Sequence, residues 1–306
     1  MPKINQHTQL IALFGYPLQH SFSPIMHNSA FEAMGLNYAY LPMPVQPGHL
    51  NEALLGFRAC GLRGANVTIP HKEQIIGFLD QLTPEAELVG AVNTLYWKDR
   101  QLVGDNTDVE GFRRSISKIG IGIAGRSVAI IGSGGAARAV AVALARMNVK
   151  EIIFLARRQD AVMRVIEDLK PLFPETIWTP HTKATSLFAE DLERVWLLVN
   201  ASPVGMHPHH DQSPISRTMI GMLPKGSHVY DLVYNPAQTQ LMLWAAERNL
   251  YPHGGLDMLA YQGAVAFEHW TGASPPVDLM LDVIQNQVQQ YLEVDSVAIN
   301  ESNQAK

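Results

Sequence analysis

Cysteine is almost absent from this chain: Cys60 is the single one among 306 residues. One cysteine excludes an internal disulfide and fits a protein of the reducing cytoplasm, so we expect a cytoplasmic location. The surrounding stretch "FRACGLRG" offers the thiol no activating neighbour. We therefore interpret Cys60 as a structural thiol at a helix end.

Long apolar runs and an excess of positive charge are also missing. No apolar stretch approaches the ~20 residues that span a bilayer, and "MPKINQHTQL" lacks the apolar core of a secretory signal. The formal net charge is −5, which argues against a nucleic-acid partner because a phosphate backbone favours a basic face. What the chain does have is 47% hydrophobic residues and enough length for two domains.

Strand and helix patterns alternate over the first 126 residues. Strands are predicted at "LIALFGYP", "YAYLPMPV" and "GANVTIP", and helices at "SPIMHNSAFEAMG", with Ser23 as N-cap, at "HLNEALLGFRACG", and from about His71. The stretch "AVNTLYWKDRQLVGDNT" predicts a hairpin that turns at Lys98-Asp99-Arg100. Interleaved strands and helices indicate an α/β unit, and the hairpin makes its sheet mixed.

The middle of the chain has the pattern of a parallel sheet. After a connecting helix at "VEGFRRSISKIG", the apolar runs "SVAIIG", "EIIFLA", "WLLVNAS" and "HVYDLVY" are separated by helical stretches. Such runs are typical of parallel strands covered on both faces. A final amphipathic helix is predicted at "SPPVDLMLDVIQNQVQQYLEV", and residues 295–306 are expected to form a disordered tail.

A glycine turn in "SVAIIGSGGAARA" predicts a nucleotide site. Gly132, Gly134 and Ala137 fit the pattern G-x-G-x-x-G/A between a strand and a helix. The first glycine allows a tight turn, the second lets a pyrophosphate approach the backbone, and the helix N-terminus favours the phosphate charge. The alternative is a tight turn that binds no ligand.

The next strand ends at Ala156, followed by Arg157 and Arg158. Enzymes that prefer NAD usually place an acidic residue there, whereas guanidinium groups suit a 2′-phosphate. The pair therefore predicts NADP. NAD stays open as the alternative because Asp160 lies close by and both arginines could simply be solvated.

Three polar clusters follow predicted strands in the first part of the chain. In open α/β sheets, ligands bind beyond the carboxyl ends of the strands. Hydroxyls, amides, a lysine and an aspartate suit a small polyhydroxylated acid, although each cluster alone could be a cap, a turn or a solvated surface. The clusters are Ser21 and Ser23; Asn66, Thr68 and Lys72; and Asp105, Asn106, Thr107 and Asp108.

These stretches, taken in order, resemble the shikimate dehydrogenases, a family that includes relatives acting on quinate. The resemblance runs from about Ile11 to Leu292 and is carried by "HSFSPIMHN", "ANVTIPHKE", "GAVNT", "GDNTDVEG", "GSGGAARA", "NASPVGMHP", "DLVYNPAQTQL" and "GLDMLAYQGAVAFEHWTG". It implies a discontinuous α/β substrate domain with a mixed sheet, residues 1–108 and 256–294. A Rossmann-type NADP-binding domain, residues 109–255, is inserted between the two parts.

The resemblance also implies an activity: NADP-dependent interconversion of shikimate and 3-dehydroshikimate, a step of chorismate and aromatic amino acid biosynthesis. Lys72 and Asp108 match the proton-transfer pair of the family. Residues matching its substrate ligands are Ser21, Ser23, Thr68, Asn93, Asp108, Tyr234 and Gln262. Residues matching its cofactor site are Gly132, Ser133, Gly134, Gly135, Ala136, Arg157, Arg158, Leu232 and Gly255.

The adenosine side departs from the family. Its motif often has Asn-Arg-Thr with a second arginine three residues on, where this chain has Ala156, Arg158 and Ala161 in place of the asparagine, the threonine and that arginine. A quinate or shikimate enzyme using NAD or both cofactors, an enzyme acting on an aminated analogue, and a non-catalytic ligand sensor therefore remain alternatives.

Two further expectations concern metals and partners. The loop "HPHHD", with His207 to His210, lacks defined ligand geometry, so no metal site is predicted. The expected partner is a small-molecule substrate, shikimate or quinate, with no nucleic acid and no membrane. The chain is expected to be a monomer or a homodimer.

Overall fold

The computed structural model describes residues 4–182 and 186–304, which contain two six-stranded sheets. The elements of the first part are β1 (Gln9–Gly15), α1 (Ser23–Ala33), β2 (Tyr38–Pro44), α2 (Leu50–Ala59), β3 (Gly64–Val67), a 3₁₀-helix (Gln74–Phe78), β4 (Gln81–Leu82), α3 (Pro84–Val89), β5 (Thr94–Lys98), β6 (Gln101–Asp105) and α4 (Asp108–Ile119). The remaining elements are β7 (Ser127–Ile131), α5 (Gly135–Arg146), β8 (Glu151–Leu155), α6 (Gln159–Leu169), β9 (Ile177–His181), α7 (Ser186–Leu192), β10 (Val195–Asn200), α8 (Arg217–Ile220), β11 (His228–Asp231), α9 (Gln240–Glu247), β12 (Tyr251–Gly254), α10 (Leu256–Thr271) and α11 (Val277–Gln304).

The first sheet is mixed, with the strand order β2-β1-β3-β5-β6-β4. β1 pairs parallel with β2 and β3, whereas β5 pairs antiparallel with β3 and with β6. The predicted hairpin is confirmed: β5 and β6 are joined at Asp99 and Arg100, which both adopt positive φ angles as a tight two-residue turn requires.

The second sheet is entirely parallel, in the order β12-β11-β10-β7-β8-β9. The chain fills one side of β7 first and then the other, which is the Rossmann strand order. The direction therefore reverses between β7 and β10. In the first sheet it reverses between β1 and β3. Loops after the strands at such a reversal diverge and leave a crevice for ligands.

Alternating side chains give each sheet two packed faces. On β1, Ile11 and Leu13 point toward α1, α10 and α11, and Ala12 and Phe14 point toward α2. This period of two sets the register, since a one-residue slip would reverse the faces. The strands β7 and β8 show the same division, with α5 and α6 on one face and α7 and α9 on the other.

The last two described helices return to the first sheet. Trp270 of α10 is fully buried and donates its indole N–H to the Leu95 carbonyl of β5 at 3.0 Å. α11 packs beside α1 through Met280 and Ile284. The fold class is thus the expected one: an α/β unit built from both ends of the chain, with a Rossmann-type unit inserted. None of the helices in the described ranges has the length and apolar character needed to cross a membrane.

Several local expectations need correction. Ser23 is the first residue of α1 and Phe22 its N-cap, because the chain already turns one residue earlier. The segment after His71 forms only the short 3₁₀-helix. α11 extends to Gln304, through residues 295–304 where we expected a disordered tail, since "DSVAINESNQ" contains no proline or glycine to end a helix. Residues 305–306 of that tail lie outside the described residues.

Candidate functional site

The centre of the candidate site is an ion pair between Lys72 and Asp108. Lys72 lies in the turn after β3, and Asp108 is the first residue of α4. The Lys72 Nζ atom donates to Asp108 Oδ2 at 2.6 Å. The two side chains are 18% and 8% exposed, so the pair is largely buried but not closed off from solvent. A charge-assisted bond this short fixes both groups at the base of the crevice.

Asn93 holds the other oxygen of the same carboxylate. It precedes β5, and its Nδ2 donates to Asp108 Oδ1 at 2.8 Å, while its Oδ1 accepts the Thr107 backbone N–H at 2.8 Å. Gln262 of α10 joins the group, with its Oε1 atom 3.4 Å from Asn93 Nδ2. Two segments thus hold the carboxylate directly and a third reaches it through Asn93, and each hydrogen bond limits the rotation of its neighbours.

Close helix packing brings Gln262 to this position. Gly111 of α4 faces α10, and a Cβ atom added there would lie 2.7 Å from Gln262 Cβ and 3.0 Å from the Met258 carbonyl oxygen. Any side chain at Gly111 would push the helices apart. The glycine in "DVEGF" therefore serves the site, a role that the sequence pattern did not reveal.

Ser21, Ser23 and Tyr234 form a second polar group. Ser21 lies in the loop after β1, and its Oγ accepts the Ser23 N–H at 3.3 Å. Tyr234, in the loop after β11, packs against Phe22 with 5.3 Å between ring centroids. Burial raises the pKa of Tyr234 and interaction with the Ser21 hydroxyl opposes this only partly, so the phenol keeps its proton and can donate a hydrogen bond.

Tyr40 is a site residue that the sequence did not predict. Its buried hydroxyl donates to Asn66 Oδ1 at 2.8 Å, and it also interacts with the Ser23 hydroxyl. Tyr40 thereby links the serine group to β3, where Thr68 follows the strand end. Tyr40 lies in an apolar strand and belongs to no sequence motif. The one signal in the sequence was a polar hydroxyl at a position of β2 whose side chain is buried.

The glycine turn adjoins the ion pair. Gly132 has φ +121°, which favours glycine, and a Cβ there would lie 3.0 Å from the Ala201 carbonyl oxygen. A Cβ at Gly134, the N-cap of α5, would meet nothing within 4 Å, so the backbone there is open to a ligand. A Cβ at Gly135 would lie 3.7 Å from Lys72 Cδ. Ser133 and Ala136 are partly exposed beside them.

This turn fits a dinucleotide pyrophosphate. The backbone N–H groups at the start of α5 and the positive end of its dipole are free of side-chain caps. The turn also sits at the reversal of strand order between β7 and β10, where such ligands bind.

The arginine pair lies at the far end of the same crevice. Arg157 and Arg158 follow β8 and are exposed. Arg158 pairs with Asp160 at 3.3 Å, and Asp160 also pairs with Arg164 of α6 at 3.0 Å. The charges there thus comprise three guanidinium groups and one carboxylate, and Arg164 lies one helical turn beyond the position where the family's second arginine is absent.

Leu232 and Gly255 meet at the end of β11 and β12. A Cβ at Gly255 would overlap the Leu232 carbonyl, so the two backbones are in direct contact. In the loop with His207 to His210, the His207 ring packs on the His20 ring, with 4.5 Å between ring centroids. Within residues 4–182 and 186–304 no group of three or more histidine, cysteine or acidic residues is arranged to hold a metal ion.

The structure thus places most of the predicted residues in four groups. Lys72, Asp108, Asn93 and Gln262 are joined in that order by hydrogen bonds; Ser21, Ser23 and Tyr234 lie together; Gly132 to Ala136 line the turn; and Leu232 contacts Gly255. A Rossmann-type sheet with a glycine turn beside a lysine–aspartate pair defines a two-domain, dinucleotide-dependent oxidoreductase.

Comparison with known proteins gives the family. Residues 13–95 match the shikimate dehydrogenase substrate binding domain, and residues 255–285 match the shikimate 5′-dehydrogenase C-terminal domain. The shikimate dehydrogenase (NADP(+)) of Desulforamulus reducens is 41% identical, over 94% of this chain and 98% of that protein. The chain belongs to the shikimate dehydrogenase family.

Two solved structures mark the range of that likeness. Shikimate 5-dehydrogenase from Listeria monocytogenes, in complex with shikimate and NAD, has a TM-score of 0.83 and 36% identity over 93% of this chain and 99% of that one. A 5-ketofructose reductase from a Gluconobacter species has a TM-score of 0.80 and 28% identity over 92% and 99%. Proteins with this fold are therefore named for different substrates, shikimate in one and 5-ketofructose in the other.

Proposed function

We propose that this chain is an NADP-linked dehydrogenase that interconverts shikimate and 3-dehydroshikimate. The observation that carries the proposal is the Lys72–Asp108 pair, 2.6 Å apart and largely buried, beside a glycine turn that fits a pyrophosphate. Oxidation of a secondary alcohol needs a hydride acceptor and a nearby group that takes a proton. The glycine turn would hold the dinucleotide that accepts the hydride, and Lys72 is placed to take the proton.

The substrate roles follow from the chemistry of the two polar groups. We assign the substrate carboxylate to the hydroxyls of Ser21, Ser23 and Tyr234, which can all donate hydrogen bonds. Ring hydroxyls are assigned to a second set of side chains. A site of this kind discriminates against analogues that leave a buried donor or acceptor unpaired. The second set comprises Thr68, Asn93, Asp108 and Gln262.

Lys72 is assigned the proton transfer. In the oxidation, the neutral amine form of Lys72 accepts the proton of the reacting hydroxyl at Nζ and becomes the ammonium that pairs with Asp108. In the reduction, that ammonium donates the proton to the carbonyl oxygen. Asp108 keeps Nζ in place through the 2.6 Å bond, and Asn93 keeps Asp108 in place at 2.8 Å. Lys72 and Asn93 hold the two oxygens of the Asp108 carboxylate, so the three side chains act as one hydrogen-bonded unit.

The cofactor roles are assigned to the crevice of the second sheet. NADP, when bound, supplies the hydride chemistry. Gly132, Ser133, Gly134, Gly135 and Ala136 would hold its pyrophosphate. Arg157 and Arg158 would pair with the 2′-phosphate, and Leu232 and Gly255 would line the nicotinamide end. The NADP(+) named for the Desulforamulus reducens relative supports this choice.

We also propose the domain division that the resemblance implies. Residues 1–108 and 256–294 form the substrate domain, and residues 109–255 form the dinucleotide domain, with α4 packed against both α10 and α5 near the boundary. A cytoplasmic location and a monomeric or homodimeric state complete the proposal, and the single cysteine is consistent with that location.

Initial rates test the proposed activity. Purified protein is assayed with shikimate and with quinate, each with NADP⁺ and with NAD⁺, beside a Lys72→Ala variant. We expect fast turnover of shikimate with NADP⁺ that the variant loses. Comparable rates with quinate or NAD⁺ would instead indicate a dual-specificity enzyme. No turnover in any of the four combinations would refute the proposal and favour a different substrate or a ligand sensor.

A further inference from the structure

We propose that His207 is a positioning residue that couples the cofactor crevice to the substrate carboxylate group through its contact with the ring of His20. The inference rests on the proposed function, because it takes the glycine turn as the cofactor site and Ser21 as a carboxylate ligand. The coupling runs through residues 201–212, which we call the strap. Each ligand then tightens the binding of the other.

The strap starts at the glycine turn. The Ala201 N–H donates to the Ile131 carbonyl at 2.8 Å, which extends the pairing of β10 with β7 by one residue. The Ala201 carbonyl oxygen lies directly behind Gly132, 3.0 Å from where a Cβ atom would stand. A ligand that orders the glycine turn therefore orders the first residue of the strap.

Hydrogen bonds stiffen the strap between its ends. Ser202 Oγ donates to Asn200 Oδ1 at 2.7 Å, and Asn200 Nδ2 donates to the Val204 carbonyl at 3.1 Å. Successive turns follow, with the Met206 N–H on the Pro203 carbonyl at 3.2 Å. A segment held by hydrogen bonds at each turn moves as a unit, so a shift at Ala201 reaches His207.

The middle of the strap touches the substrate side at two points. The His207 ring lies 4.5 Å from the His20 ring, tilted by 49°, and His20 directly precedes Ser21. The His207 N–H donates to the Asn235 carbonyl at 3.2 Å, and Asn235 directly follows Tyr234. Both proposed carboxylate ligands thus have a neighbour in contact with His207.

The expected coupling is modest and reciprocal. A single ring–ring contact is worth about a 2- to 10-fold change in an equilibrium constant. By linkage, the factor by which the cofactor tightens the substrate equals the factor by which the substrate tightens the cofactor. The interaction is between rings, so an aromatic replacement of His207 preserves it, whereas alanine removes it.

Calorimetric titration measures this coupling directly. Shikimate is titrated into the protein alone and into the protein saturated with NADPH, a reduced pair that cannot react. In the wild type we expect shikimate to bind about 2- to 10-fold more tightly with NADPH present. His207→Ala should bring that ratio close to one while each ligand alone binds as before.

The controls separate the ring contact from other effects. His207→Phe should keep the ratio, and His210→Ala, an exposed position on the same strap, should leave it unchanged. His20→Ala should abolish the ratio, with no further loss in the double variant. A ratio that survives in His207→Ala, is lost in His207→Phe, or is already one in the wild type would overturn the inference. Failure of the wild type to bind shikimate at all would count against the proposed function instead.

Discussion

The two sheets contribute different chemical groups to the candidate site. At the first sheet, buried polar side chains such as Asn66, Asn93, Thr107 and Asp108 form a continuous hydrogen-bonded group. At the second sheet, the glycine turn presents backbone N–H groups, and Arg158 pairs with Asp160 at its exposed end. This difference matches the proposed division, in which the residues around the first sheet bind the substrate and transfer the proton and those around the second sheet bind the cofactor.

Loss of Lys72 should have the largest effect, and it should abolish proton transfer without affecting the cofactor site at the second sheet. Lys72→Ala should lower kcat by about 10²- to 10⁴-fold, since general acid–base catalysis contributes that much, while cofactor binding is retained. Steady-state kinetics and NADP⁺ titration check this. Lys118→Ala is the matched control, because Lys118 also forms an ion pair, with Asp257 at 3.0 Å, and its side chain is more exposed than that of Lys72. Equal losses in both variants would contradict the assignment.

The buried carboxylate of Asp231, on β11 of the second sheet, should make the free energy of unfolding depend on pH. Burial raises the pKa of Asp231 from 3.8 to about 6, although Thr239, Val233 and Asn200 donate to it. The folded state therefore binds the proton more tightly than the unfolded state, and stability from this group is lost as pH rises from about 4 to above 6. Relative to Asp231→Asn, the wild type should lose about 2 kcal/mol between pH 4.5 and pH 7.5.

Urea unfolding of both proteins at about pH 4.5 and pH 7.5 measures that difference. Subtracting the two curves isolates Asp231 from the other titrating groups. A difference in unfolding free energy that does not change with pH would show that Asp231 is ionised as easily in the folded chain as in the unfolded one.

The side-chain network of the first half should also matter for folding. Asn93→Ala leaves the Thr107 N–H and Asp108 Oδ1 without a buried partner, so we expect a loss of about 1–3 kcal/mol in unfolding free energy. Urea unfolding measures it, with Asn286→Ala on the exposed face of α11 as the control. An Asn93 effect no larger than that of the control would argue that the network is not a structural unit.

The smallest expected effect concerns the charge at the exposed end of the second sheet. Asp160 forms ion pairs with Arg158 and Arg164. Asp160→Asn removes the competing negative charge, so both guanidinium groups become available to the 2′-phosphate. NADP⁺ binding should tighten by about 2- to 10-fold, less so at high salt. Calorimetry with NADP⁺ and NAD⁺ tests this. Asp282→Asn makes the same charge change on an exposed face of α11. Parallel changes for the two cofactors would contradict a role at the 2′-phosphate.

Most of the fold could be predicted from local signals. Apolar runs gave the principal strands, and the Lys98-Asp99-Arg100 turn predicted the hairpin that makes the first sheet mixed. The strands β9 and β12 were not predicted, because "IWTPH" and "YPHG" each contain proline and little apolar pattern. Periodicity also could not show that α10 and α11 return to the first sheet, since that depends on long-range packing around Trp270.

The candidate site was predictable where motifs mark it and hidden where packing makes it. The resemblance singled out Lys72, Asp108 and Gln262, which the structure brings together. Tyr40 and the His20–His207 contact were missed because each depends on residues distant in sequence. Such contacts leave no local pattern, and only the folded chain brings them together.

The division of labour between the two halves is tested most directly by separate titrations of shikimate and NADP⁺ into Ser21→Ala and Arg157→Ala. We predict that Ser21→Ala weakens shikimate by about 10-fold and leaves NADP⁺ within about 2-fold, and that Arg157→Ala does the reverse. Variants that weaken both ligands equally, or neither, would contradict the account.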